Sequence, residues 1–143
     1  MTVRVERTMT VAAPPERVWE FIADPDERAR PISVVKDWEI HDDDRATWHV
    51  SLPIPVLDRT IAIETEDVER REPEYVRFIG RSKVLRVQGE QELEATDDGA
   101  TRVTNRFVVD GKLPGVERFF KRNLDDELQN LESALRAHID DDT

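Results

Sequence analysis

The chain has no cysteine. That excludes a disulfide framework, a thiolate metal site and a cysteine nucleophile. It has only three histidines, His41, His49 and His138, and they do not fall at H-x-x-x-H or H-E-x-x-H spacing, so no metal centre is expected. It also lacks a G-x-S-x-G nucleophile turn, a phosphate-cradling glycine loop and a dinucleotide fingerprint, so no cofactor is expected. No apolar run approaches the roughly eighteen residues of a membrane span, which argues against stable membrane insertion. The N-terminal "MTVRVERTMTV" is charged and alternating, without the apolar core of a signal peptide. The expectation is a soluble cytoplasmic protein.

Positive charge is scarce. The 143 residues include 32 acids against 21 bases, a net charge of −11, and of the bases only Lys36, Lys83, Lys112 and Lys121 are lysines. The acids cluster in "HDDDR", "EATDDG" and "HIDDDT". Such a surface repels nucleic-acid backbone and anionic membranes, so no nucleic-acid partner is expected. Acid-rich, arginine-over-lysine composition resembles that of proteins from salt-loving archaea. It bears on environment rather than activity.

What is present is periodic. Val3, Val5, Met9 and Val11 alternate with polar residues, as a half-buried strand requires. Pro14 and Pro15 end that strand and suit a first helical turn. Val18, Trp19, Phe21 and Ile22 then form a helical stripe closed by Asp24-Pro25, and 26–31 allows a second short helix. Strand patterns follow over 34–41, 45–52, 57–70, 75–82, 84–96 and 101–109, divided by short turn signals that favour antiparallel pairing. Gly80 and Gly89, inside strand patterns, suggest bulges or sharp curvature. From Pro114 the period becomes helical. Phe120, Leu124, Leu128, Leu131 and Leu135 form one stripe, and Arg118, Arg122, Asp125, Gln129, Glu132 and Arg136 the opposite face. The order predicts an α+β fold in which a curved antiparallel sheet of about seven strands wraps a long C-terminal helix. A wedge-shaped space between the two layers, closed at one end by the short helices, would suit a small ligand.

"VAAPPERVWEFIADPD", "DDGATRVTNRF" and "GKLPGVERFFKRNLDDELQNLESAL" together resemble the START-like, helix-grip superfamily. That group includes polyketide cyclases and aromatases, birch-pollen-type allergens, coenzyme-Q-binding proteins and a group of carbon monoxide dehydrogenase accessory proteins. The resemblance implies one START-like ligand-binding domain over residues 1–143. It also implies that Trp19 and Ile22 help cap its cavity.

Alternation places Trp38, Trp48, Val50, Ile61, Ile63, Phe78, Leu93 and Phe107 on the inner face of the sheet, with Ile40 beside them, and the last helix adds Phe120, Leu124 and Leu128. The polar residues in this set are Thr65, Gln91 and Asn105. Gln91 and Asn105 lie on neighbouring strands; they either satisfy one another or orient a ligand's polar group. His49 faces outward if Trp48 faces in. Arg59, Arg77 and Arg106 are read as surface residues. No inward carboxylate pair stands out, and no catalytic residue is assigned. The leading expectation is binding of a hydrophobic small molecule such as a lipid, quinone, isoprenoid or polyketide. The alternatives are a cyclase- or dehydratase-like enzyme and an accessory protein docking a larger partner through "SLPIPVL" at 51–57.

Overall fold

The computed structural model describes residues 2–54 and 60–141, with the side chain of residue 141 left aside. The alternating N-terminal segment is β1 (Thr2–Val11), and Pro15 begins α1 (Pro15–Ile22). Asp24 caps α2 (Pro25–Ala29), its carboxylate accepting from the Asp26 backbone N–H at 2.9 Å. Six strands follow: β2 (Val35–Asp42), β3 (Arg45–Val50), β4 (Ile61–Arg71), β5 (Tyr75–Arg81), β6 (Leu85–Ala95) and β7 (Thr101–Gly111). The last element is α3 (Val116–Asp141). The strand predicted over 57–70 is therefore seen from Ile61, and 57–59, with Arg59, fall outside the described residues.

The seven strands form one antiparallel sheet in the order β1-β7-β6-β5-β4-β3-β2. This is the helix-grip α+β architecture: the strands form a meander whose first strand closes back on the last. Short connections enforce that order, because consecutive antiparallel strands pair before distant ones can. α3 crosses the concave face and lies closest in its backbone to β1, β7 and α1.

The ladder runs unbroken through Gly80 and Gly89, so neither marks a bulge. Register shifts occur instead in β2 and between Asp67 and Glu69 of β4. Gly89 makes room for a ring. A Cβ there would clash with the ring of Phe78, and Phe78 stacks at 5.7 Å from both Trp48 and Phe107.

The buried apolar side chains fall into two groups. One is built from α1, the ends of β1, β5, β6 and β7, and the last turns of α3, and includes Val18, Trp19, Phe21, Val76, Val103 and Leu135. The other lies between the first half of α3 and strands β3 to β7, and includes Trp48, Phe78, Phe107, Phe120, Leu124 and Leu128.

Candidate functional site

The second group contains a cavity of about 40 Å³. Its walls come from β3 (Trp48, Val50), β4 (Ile63), β6 (Leu85, Val87), β7 (Phe107, Val109), the loop before β2 (Ile32, Val34) with Val35, and α3 (Phe120, Leu124, Glu127, Leu128, Leu131). It forms where the curling sheet and the straight helix diverge. Of the strands, β1 and β7 lie closest to α3 in their backbone, and β3 and β4 contribute Trp48, Val50 and Ile63 to the wall.

Pockets for drug-sized ligands measure roughly 300–1,000 Å³. The wedge expected between the layers is therefore largely filled, chiefly by Trp48, Phe107 and Phe120. What remains admits water-sized occupants.

Of the residues expected to line a cavity, the fold brings seven together around it: Trp48, Val50, Ile63, Phe107, Phe120, Leu124 and Leu128. The other nine lie elsewhere. Trp19, Ile22 and Leu93 pack in the α1 group at the far end, so the short helix α1 does not cap this cavity. Phe78 lies behind the lining, in the ring stack over Gly89. Thr65 is buried, its hydroxyl donating to the Ala46 carbonyl at 3.1 Å. Ile61 is only partly buried, and Trp38 stands at the rim, where its indole N–H donates to Asp26 at 2.8 Å and Arg30 lies over its ring. Ile40 shares register with buried Ala46 yet is 40% exposed, on the edge strand β2, which has a neighbour on one side only.

Gln91 and Asn105 are register partners and buried, as neighbours on β6 and β7, but they do not border the cavity. Nor do they satisfy one another fully: Gln91 Oε1 and Asn105 Oδ1 both lack a protein donor among the described residues.

Two inward carboxylates belong to the interior although the sequence patterns do not single them out. Asp67 continues the alternation Ile63–Thr65–Asp67 on β4. Both its oxygens are engaged, by Arg28 (Nη1 at 2.5 Å) and by Arg70 (Nε at 2.9 Å). Arg28 is itself only 6% exposed. It donates also to the Ile22 carbonyl, and its guanidinium lies 4.7 Å over the Phe78 ring. This buried pair ties α2 to the sheet between the two apolar groups. Glu127 is the other. It stands three residues after Leu124 and four before Leu131, on the apolar face of α3, and is 6% exposed. Its spacing is a legible signal that the leucines around it obscure. Ser33 Oγ donates to Glu127 Oε1 at 2.6 Å and Asn130 Nδ2 donates to the same oxygen at 3.2 Å, while Oε2 has no protein donor among the described residues. Glu127 is the one polar side chain among the fifteen described residues that line the cavity.

Arg7, which alternation also leaves unmarked, faces inward from β1. It pairs with Glu132 at 2.5 Å and with Asp125 at 3.1 Å, so these two acids of the expected solvent face of α3 serve as a clamp on β1. Those two carboxylates raise the Arg7 guanidinium well above its ordinary value. Asp125 is held below the usual carboxylate range by hydrogen bonds from Gln129 first and Arg7 second. His49 points away from the cavity, its Nε2 3.1 Å from Glu39, and His41 meets the Thr47 hydroxyl. His138 stacks against Phe21 at 5.2 Å. Arg106 lies on the outer face and pairs with Glu92 and Glu6, and Arg77 with Glu69. In the 51–57 segment, Leu52 and Ile54 are buried in the cavity-side group rather than displayed for docking, and 55–57 lie outside the described residues. Among the described residues no group of three or more His, Asp or Glu is placed to hold a metal. No helix among them is long and apolar enough to cross a membrane.

A family model described as polyketide cyclase / dehydrase and lipid transport matches residues 2–136. The chain belongs to that family. Solved structures share the fold at low identity. A START superfamily protein from Mycobacterium smegmatis superposes with a TM-score of 0.77 at 16% identity, over 98% of this chain and 99% of that one. A conserved protein from Geobacillus kaustophilus does so at 0.77 and 16%, over 97% and 96%. The Zhui aromatase/cyclase from Streptomyces sp. R1128 gives 0.67 and 19%, over 95% of each chain. No curated protein matches the chain. Membership supports hydrophobic-ligand or cyclase-like roles without choosing between them.

Proposed function

We propose that the hollow between α3 and strands β3 to β7 binds a hydrophobic small molecule, of the size and greasiness of a lipid tail, isoprenoid, quinone or polyketide fragment. The observation that carries this reading is the lining: fourteen of the fifteen side chains around the cavity are apolar. A ligand that buries about 250 Å² of apolar surface there gains roughly 6 kcal/mol before the cost of opening the site. The site opens by repacking Trp48 and Phe120 and by movement of α3 away from β3 and β4. The Arg28–Asp67 pair and the α1 group hold the remainder in place.

A cyclase- or dehydratase-like activity draws on one specific feature, the Glu127 carboxylate in the lining. Proton transfer from carbon or to a leaving hydroxyl needs a second tuned group within reach. No other titratable side chain among the described residues lines the cavity, so binding is the better-supported reading.

The test uses tryptophan fluorescence. Titration with octyl acetate, a neutral chain, is expected to change the emission with saturation. Trp48→Phe is expected to remove most of that change, and Trp19→Phe to leave it. A saturating change that survives Trp48→Phe would place binding elsewhere. No saturable change at all would end the binding reading.

A further inference from the structure

We propose that the end of the fold that holds the cavity docks on an anionic lipid surface, through a cluster of basic side chains that have no ion-pair partner in the chain. This goes beyond the binding reading and does not depend on it.

The observation is where the charges lie. The chain has four lysines, and the fold brings all of them to one end. Lys36 stands at the start of β2, Lys83 in the β5–β6 turn, Lys112 just after β7 and Lys121 early in α3, and all four are exposed. The strand registers set the starts of β2, β4 and β6 and the ends of β5 and β7 at this end. The Lys112 backbone N–H donates to the Val84 carbonyl at 2.8 Å, and its Nζ to the Ser82 carbonyl at 3.3 Å, so the β5–β6 turn and the loop into α3 lie side by side. Leu85, Val109 and Phe120 of the cavity wall are within three residues of these lysines.

Four arginines join them. Arg81 and Arg86 flank the turn and are direct register partners, an arrangement of like charges that destabilises a sheet. Arg118 stands in the first turn of α3, where the helix dipole disfavours a cation, and Arg122 follows one turn later. None of the eight forms an ion pair with a described residue. Elsewhere on the outer face such pairs are the rule, as for Arg77, Arg102 and Arg106. Acids near the cluster are Asp37 beside Lys36, Glu64 opposite Arg81, Asp110 opposite Arg86 and Glu117 beside Arg118. Glu64 and Asp110 accept instead from the hydroxyls of Thr47 and Thr2. Nothing in the described chain compensates this repulsion, and an external anionic surface does.

Leu113 and Phe119 are only partly buried among these bases. Cations mixed with apolar side chains suit the boundary between lipid head groups and acyl chains, which favours lipid over the acidic end of a second copy. The net charge of −11 opposes approach of the molecule as a whole. Glu72, Glu74, Asp97 and Asp98, however, lie in the turns at the other end of the sheet. The 26 residues of α3 span about 39 Å between the two ends, several times the screening length of about 8 Å at physiological salt.

The experiment is sedimentation of the full chain with vesicles of phosphatidylcholine alone and of equal parts phosphatidylcholine and phosphatidylglycerol. At about 0.05 M NaCl the protein is expected to partition at least about tenfold more strongly onto the anionic vesicles, and at about 0.5 M NaCl the difference should vanish. Lys83→Glu combined with Arg86→Glu should reduce the anionic binding about tenfold or more. Arg71→Glu combined with Arg102→Glu makes the same change in net charge at the opposite end, and should leave binding within about twofold. Equal losses in the two double variants overturn the proposal, because net charge alone would then govern. Equal sedimentation with both vesicles, or with neither, overturns it as well. Self-association of the unmodified protein without lipid, lost in Lys83→Glu with Arg86→Glu, would assign the face to a second copy and overturn it too. Should a variant not fold, the two vesicles and two salt concentrations on the unmodified protein still decide. Failure of octyl acetate to bind in the cavity leaves the vesicle result as it stands, so the two readings fail separately.

Discussion

The two ends of the interior are built from the same kinds of side chain on the same strands, yet the cavity of about 40 Å³ lies at one of them. β7 shows this most directly. Val103 and Val109 lie six residues apart on the same face, both fully buried. Val103 packs in the α1 group among Val18, Phe21 and Leu135, where α1 lies against the sheet and the last turns of α3. Val109 borders the cavity, where the angle between sheet and helix is closed by the side chains of the loop before β2 rather than by α1. A curved sheet and a straight helix leave unequal space along their length. The helix α1 fills one end, and long aromatic side chains incompletely fill the other. Site and scaffold are thus separated along the axis of α3, with the Arg28–Asp67 pair between them.

The largest effect should come from that boundary. Asp67→Asn keeps the volume but leaves Arg28 buried without its counter-charge, and is expected to cost about 3–5 kcal/mol in urea-unfolding free energy. Arg28→Met combined with Asp67→Leu should recover most of the loss, since apolar replacement of both partners removes the uncompensated charge. If Asp67→Asn costs less than about 1 kcal/mol, the pair is hydrated and does not divide the interior.

One added methylene then probes each end directly. Val103→Ile enters close-packed space and should cost about 1–3 kcal/mol. Val109→Ile, on the same strand, enters the cavity and should fall within about 0.5 kcal/mol of the unmodified protein, because the added carbon gains contacts without displacing any. The same Val109→Ile change should weaken binding of octanol about tenfold, while Val103→Ile leaves it unaffected. Equal stability losses at the two valines, from paired urea titrations, would mean that both ends are equally filled.

Much of this architecture is legible in the sequence because it rests on period. Alternation locates β1 and the later strands to within a few residues. The stripe Phe120–Leu124–Leu128–Leu131–Leu135 locates α3 and its buried face. The helix-grip arrangement follows from the order of elements. Seven of the residues expected in the cavity border it because inward orientation is a property of the strand itself. Depth along the strand is not. Leu93 and Phe107 both face inward, but which of them borders the hollow depends on where α1 docks, and no single-strand pattern encodes that. Trp38 and Ile40 depart from expectation for a related reason: they lie on an edge strand, which has a neighbour on one side only. The polar residues have a different origin. Arg7, Asp67 and Glu127 each occupy an inward position in a clear pattern, but a charged side chain at such a position reads as solvent-facing until its partner is seen.

The smallest effect should be at the β1–α3 clamp, which belongs to neither end. Arg7 reaches Glu132 and Asp125 across a partly exposed gap, so water screens it and Arg7→Gln should cost less than Val103→Ile. Its signature lies in the pH dependence. Asp125 has its carboxyl lowered in the folded state, by Gln129 and then by Arg7. A lowered folded value contributes stability that is fully present above the ordinary aspartate value, near 4, and is lost as pH falls through the folded one. Urea midpoints taken between pH 7 and pH 2 should therefore decline on the acid side in the unmodified protein, and decline less steeply in Arg7→Gln. The difference should shrink further in high salt, which screens exposed charges. Binding of octanol should not change, because the clamp touches no residue of the cavity wall. An Arg7→Gln variant that lost binding would show that α3 is held against the sheet as one rigid rod, and that the two ends of the interior cannot be varied independently.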